Sequence, residues 1–154
     1  MEQEQIRETF SVYLAFPSIL ALGIFLFILF SRKWRKLLLD NYIIACFLFS
    51  LSGMNFIEVI TYSNLSNNFE LLLRIYYFFV VLLLTSFICL SERLNNHSQK
   101  STKYFLSFSI ISSIVLIAMI LETDQIIAGA ISTKFTILRV PGEYYFIFLS
   151  YLIT

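Results

Sequence analysis

Met54 to Tyr77 reads M-N-F-I-E-V-I-T-Y-S-N-L-S-N-N-F-E-L-L-L-R-I-Y-Y, two apolar arms around a short polar connection, with Glu58 in one arm and Arg74 in the other. Extended outward, the arms become apolar runs at 42–60 and 71–90, and runs of the same kind occupy 13–30 and 104–121. A hydrocarbon core of about 30 Å is crossed by roughly 20 helical residues at a rise of 1.5 Å, because only a helix satisfies its own backbone in lipid. The runs have that length. Composition agrees: 58% of residues are hydrophobic and 14% charged, and the mean hydropathy is +0.81, well above the soluble average. The expected fold class is an all-α polytopic membrane protein in one domain, 1–154, with four full transmembrane helices and the start of a fifth at 143–154.

The first run is not a cleavable leader, since Glu2, Glu4 and Glu8 precede it and S-R-K-W-R-K-L follows where small residues should stand. The last run provides only about 16 Å of helix, half a bilayer. A carboxylate left at that depth is costly, which sets the expectation that the chain is the N-terminal part of a longer one. Orientation follows from the basic residues. Arg32, Lys33, Arg35 and Lys36 lie in one connection and Arg93, Lys100 and Lys103 in another on the same side, whereas the opposite side holds Arg7, Lys134 and Arg139. Because basic loops stay in the cytoplasm, the N-terminus is expected outside.

Several chemistries are excluded or given no support. With 11 basic and 10 acidic residues there is no clustered basic face for a nucleic acid. Cys46 and Cys89 lie in apolar runs without a second ligand at metal spacing, so neither a disulfide nor a metal site is read. No Ser/His/Asp set or acidic cluster suggests catalysis, and no cofactor is expected. His97, in E-R-L-N-N-H-S-Q-K, reads as a solvated loop residue.

Charges inside a bilayer are expensive and mark functional sites or structural pairs. Glu58 and Arg74 fall near the same end of consecutive helices, about 5 Å below the membrane boundary, and are expected to pair. Asn55 and Tyr77 stand one turn away from them, on the same faces. Two readings stay open: a pin for the helical hairpin, or the floor of an outward pocket for a small amphiphile, with Arg74 receiving an anionic or carbonyl oxygen.

The segment E-T-D-Q-I-I-A-G-A-I-S-T-K-F-T-I-L-R-V-P-G-E-Y-Y, Glu122 to Tyr145, is apolar yet interrupted by Gly129, Lys134 and Arg139. Its β-branched part, S-T-K-F-T-I-L-R-V, predicts a short strand, or a hairpin formed with Ile126 to Ala128, lying over the outer mouth. Pro141-Gly142 ends it, and Glu143 suits the positive first turn of the next helix. Arg139, Glu143 and Tyr144 thereby join Asn55, Glu58, Arg74 and Tyr77 as candidate ligand-binding residues.

Four helices followed by I-S-T-K-F-T-I-L-R-V-P-G-E-Y-Y-F-I-F-L-S-Y, Ile131 to Tyr151, resemble the multi-span N-terminal sensor regions of bacterial signalling proteins. The resemblance is to the seven-span type attached to sensor histidine kinases, with acyl-homoserine-lactone receptor kinases as relatives in layout. Gly142, Tyr144, Tyr145, Phe148 and Tyr151 match the family's local pattern. The resemblance implies further helices, a cytoplasmic output domain in a two-component system, a homodimer formed through those missing regions, and residence in the inner (plasma) membrane. It also implies a small amphiphilic ligand taken from the outer side. No phosphoacceptor-histidine box or nucleotide-binding motif occurs within 1–154. The alternative is a small oligomeric channel or effector, complete as it stands, whose polar stripe on the second and third helices lines a pore.

The topology is testable by membrane-impermeant maleimide on a cysteine-free background. A cysteine at Ser66 should label from outside intact cells and one at Ser98 only after lysis; the reverse pattern would overturn the orientation.

Overall fold

A computed structural model describes residues 13, 15–27, 40–62, 68–94, 100–132 and 137–153. Among these residues the elements are α1 (Ala15–Phe27), α2 (Asp40–Tyr62), α3 (Phe69–Leu94), α4 (Lys100–Glu122), β1 (Ile127–Ser132), β2 (Ile137–Pro141) and α5 (Tyr145–Ile153). The described residues are therefore largely helical and include three helices, α2, α3 and α4, long and apolar enough to cross a membrane. At about 20 Å, the described α1 is shorter than a full crossing, and 28–30, which the sequence reading assigned to the same helix, lie outside the described residues. So do the basic cluster around Trp34, the loop 63–67, His97 and Lys134.

The three long helices run past the ends of their apolar runs because local capping, not hydropathy, sets their limits. Asn68 caps α3: its side-chain oxygen accepts from the Leu71 amide at 3.1 Å, and Glu70 lies in the first turn, where the helix dipole favours an anion. At the far end of α4 the Thr123 hydroxyl donates to the Met119 carbonyl at 2.7 Å.

α3 is the central element, packed on α2 along one side and on α4 along another. Its approach to α2 is close at Gly53, where a Cβ would collide with the Phe79 ring. The polarity of the packing is that of a membrane bundle. Ser50, Ser52, Ser86, Ser109 and Ser113 are buried, while Phe56, Phe87, Phe108, Ile111 and Ile114 are exposed. Small hydroxylated residues let helices approach and bond across, and large apolar ones face lipid. Ser52 donates to the Ser18 carbonyl of α1 at 2.9 Å. Thr85, Ser113 and Tyr151 meet at 2.7 to 2.9 Å and join α3, α4 and α5.

The hydrophobic core lies toward the ends of the helices that carry the sheet. Leu73, Tyr77 and Val81 of α3 meet Leu116 and Ile120 of α4, Ile126 and Ile127 at the start of the hairpin, and Phe148 of α5. The expected hairpin is present and antiparallel, but β1 runs on to Ser132 instead of stopping near Ala128. Ser132 pairs with Ile137, so the single strand read through 132–140 is divided between two strands. The intervening 133–136 lie outside the described residues. The register slips between Ile127 and Gly129, placing a bulge at Ala128.

α5 starts at Tyr145, two residues later than expected, because Gly142 and Tyr144 donate their amides to the Ile126 and Gln125 carbonyls at 2.9 and 2.8 Å. Glu143 thus belongs to the turn before the helix. A Cβ at Gly142 would meet the Asp124 and Gln125 carbonyl oxygens, which makes this position obligate glycine.

Gly53→Val should destabilise the protein by about 1 to 3 kcal/mol through overpacking at the α2–α3 contact. Thermal unfolding in detergent measures it, and an unchanged midpoint would show that this approach is not tight.

Candidate functional site

Arg74 sits one turn inside α3 with 8% of its surface exposed. Its guanidinium has five N–H donors to satisfy. Nε and Nη2 both donate to Glu70 Oε1, at 3.1 and 2.8 Å. Nη1 donates to the carbonyls of Ile120 and Thr123 at 3.1 and 2.8 Å. Nη2 also reaches Asp124 Oδ1 and, more weakly, the Ile127 carbonyl at 3.4 Å. The arginine therefore caps the C-terminus of α4, where free carbonyls and the helix dipole both favour a cation.

The expected Glu58–Arg74 pair is not formed. Arg74 is ion-paired with Glu70 and Asp124, and Glu58 instead lines a cavity together with Tyr76. The physical reason is that Glu70 shares a helix with Arg74 at i, i+4 spacing, while α4 ends beside it and presents the Ile120 and Thr123 carbonyls. The first partner was visible in the spacing; the second needed the fold.

Glu58 lies beside a cavity of about 550 Å³ at the end of the bundle that carries the hairpin. α2 contributes Ile57, Glu58 and Thr61, and α3 contributes Leu72, Leu73, Tyr76 and Tyr77. Leu138, Arg139 and Pro141 of β2 and Tyr145 of α5 complete the wall. Arg139 Nη1 donates to the Tyr77 hydroxyl at 2.6 Å, and its guanidinium lies 4.7 Å from the Tyr145 ring centroid and 5.8 Å from that of Tyr77. Tyr77 is itself held edge-on against Phe148, with ring centroids 5.0 Å apart. Arg139 is thus aimed by stacked aromatics and carries no carboxylate partner among the described residues.

Of the candidate residues, the structure brings Glu58, Tyr77 and Arg139 to one cavity. Arg74 is used up in the fold, and Asn55, Glu143 and Tyr144 do not line the cavity. Tyr144 is 40% exposed and leans on Phe146, whereas its neighbour Tyr145 faces inward. Thr61 and Leu138 were missed, since neither charge nor spacing sets them apart from their neighbours.

Comparison with family models, curated proteins and solved structures gives no match to this chain.

Arg74→Leu should cost about 3 to 5 kcal/mol, since it strands the α4 carbonyls and a half-exposed Glu70. Asp124→Asn should cost under about 1 kcal/mol, because the Asp124 side chain is 77% exposed and solvent screens the pair. Unfolding in detergent distinguishes the two, and equal effects would contradict the capping role.

Proposed function

We propose that this protein is the membrane-embedded sensing region of a bacterial signal-transduction receptor of the sensor histidine kinase type. It takes a small amphiphilic molecule into the cavity from the outer side, with its N-terminus outside the inner membrane. The observation that carries the reading is the cavity itself. It is roofed by an irregular hairpin, walled by apolar side chains, and supplied with a few fixed polar groups, the usual make-up of a small-molecule site. Its volume lies within the few hundred to roughly 1,000 Å³ typical of such sites.

The cavity is also well placed to bias helix packing. It touches α2, α3, the hairpin and α5 together, so a ligand can favour one arrangement of these elements over another. A ligand shifts such an equilibrium only by its differential affinity, and couplings of about 1 to 3 kcal/mol are typical. The output domain and the dimer contacts belong, in this reading, to regions beyond 154.

Spin labels near the opposite ends of α3 and α4, at Ser91 and Tyr104, test the sensing role. Addition of an octyl-chain amphiphile to the protein in nanodiscs should change their separation by about 1 to 2 Å. Binding without any change in the distance distribution would reduce the protein to a binding module.

A further inference from the structure

The cavity has a feature that a simple greasy pocket lacks: it holds one carboxylate and one guanidinium that are not paired with each other. Glu58 and Arg139 both line it, yet the ion pairs among the described residues all belong to Arg74. Arg139 is instead held by Tyr77 of α3, whose hydroxyl accepts from it. Glu58 comes from α2 and Arg139 from β2, so the opposite charges enter the cavity from different elements.

Opposite charges sharing one partly apolar cavity attract strongly unless something stands between them. Unpaired and carried by different elements, they form a dipolar receptor of zero net charge. Arg139 retains donors beyond the one given to Tyr77 and suits a bidentate oxyanion. Glu58 is an acceptor-only group that suits an ammonium or another N–H. Ile57, Leu72, Leu73 and Leu138 supply the apolar remainder.

Resting on the ligand-sensing reading above, we infer that the cavity selects an amphiphile with a dipolar head, an ammonium nitrogen toward Glu58 and a carboxylate or phosphate toward Arg139, over singly charged amphiphiles of the same length. Two sources present this chemistry: a free amphiphilic amino acid, or the headgroup of a zwitterionic aminophospholipid from the surrounding leaflet.

The test uses three eight-carbon probes, 2-aminooctanoic acid, octanoic acid and octylamine, titrated calorimetrically into the protein in phosphatidylglycerol nanodiscs, with empty discs subtracted. The dipolar probe should bind about tenfold more tightly than either singly charged one, since each lost charge-assisted bond is worth about that factor. Glu58→Gln should remove the advantage over octanoic acid and leave octanoic acid binding unchanged. Arg139→Gln should weaken the amino acid and octanoic acid about tenfold and spare octylamine, whose binding then shows that the variant is folded.

Equal affinities for the dipolar probe and either single-charge probe would overturn the inference while leaving an amphiphile site intact. Binding of none of the three would overturn the sensing reading as well. Repeating the titration in phosphatidylethanolamine discs separates the sources: loss of 2-aminooctanoic acid binding there identifies the lipid headgroup as the occupant, and retained binding identifies a free molecule.

Discussion

Five N–H groups on Arg74 need acceptors in surroundings that offer few, and the way they find them organises the end of the molecule that carries the hairpin. The guanidinium takes one carbonyl from the last turn of α4 and one from Thr123 just after it, one carboxylate from its own helix and one from the turn after α4. A buried cation without these partners would be strongly destabilising, and helix-end carbonyls without a donor would be too. Each need meets the other. The result locks the start of the hairpin against α3, so that Ile126 and Ile127 are fully buried beside Ile120 and Val81.

That lock has an indirect consequence for the cavity. Because Arg74 is committed to α4 and Glu70, Glu58 on the neighbouring helix is left facing the cavity, and Arg139 arrives from the hairpin to face the same space. Had Glu58 and Arg74 paired, α2 and α3 would be pinned by a neutralised bridge and the cavity would hold a single charge. The bulge at Ala128 and the close passage of Gly142 over the Asp124–Gln125 backbone set how the hairpin turns back toward the helices.

The body of the bundle is held by different means. Water is absent from a bilayer interior, so apolar contact between helices gains little over contact with lipid, and close packing with a few hydroxyl bonds takes its place. The Thr85–Ser113–Tyr151 group is the clearest example, linking three helices. Gly53 against Phe79 and Ser52 against the Ser18 carbonyl serve the same end on the other side of α3 and α2. Tyr151 ties α5 to this set, so a change around Tyr145 at the cavity has a rigid route along α5 into the middle of the bundle.

Hydropathy and local propensity were enough to read the long helices α2, α3 and α4 and a hairpin ended by Pro141-Gly142. These depend on runs of neighbouring residues and on the thickness of a bilayer. The sequence also singled out Glu58, Tyr77 and Arg139, since charged and amphipathic groups stand out in a chain that is otherwise apolar. It could not choose their partners. Glu58 and Arg74 are level on adjacent helices, and nothing local says that the end of α4, 46 residues on from Arg74 at Ile120, will arrive first. Nor could it tell Tyr144 from Tyr145, because which of two adjacent tyrosines faces inward depends on where α5 begins, and that is fixed by backbone bonds from Gly142 and Tyr144 to a distant turn. Pairing and facing are decided by long-range geometry, and only the tertiary structure contains it.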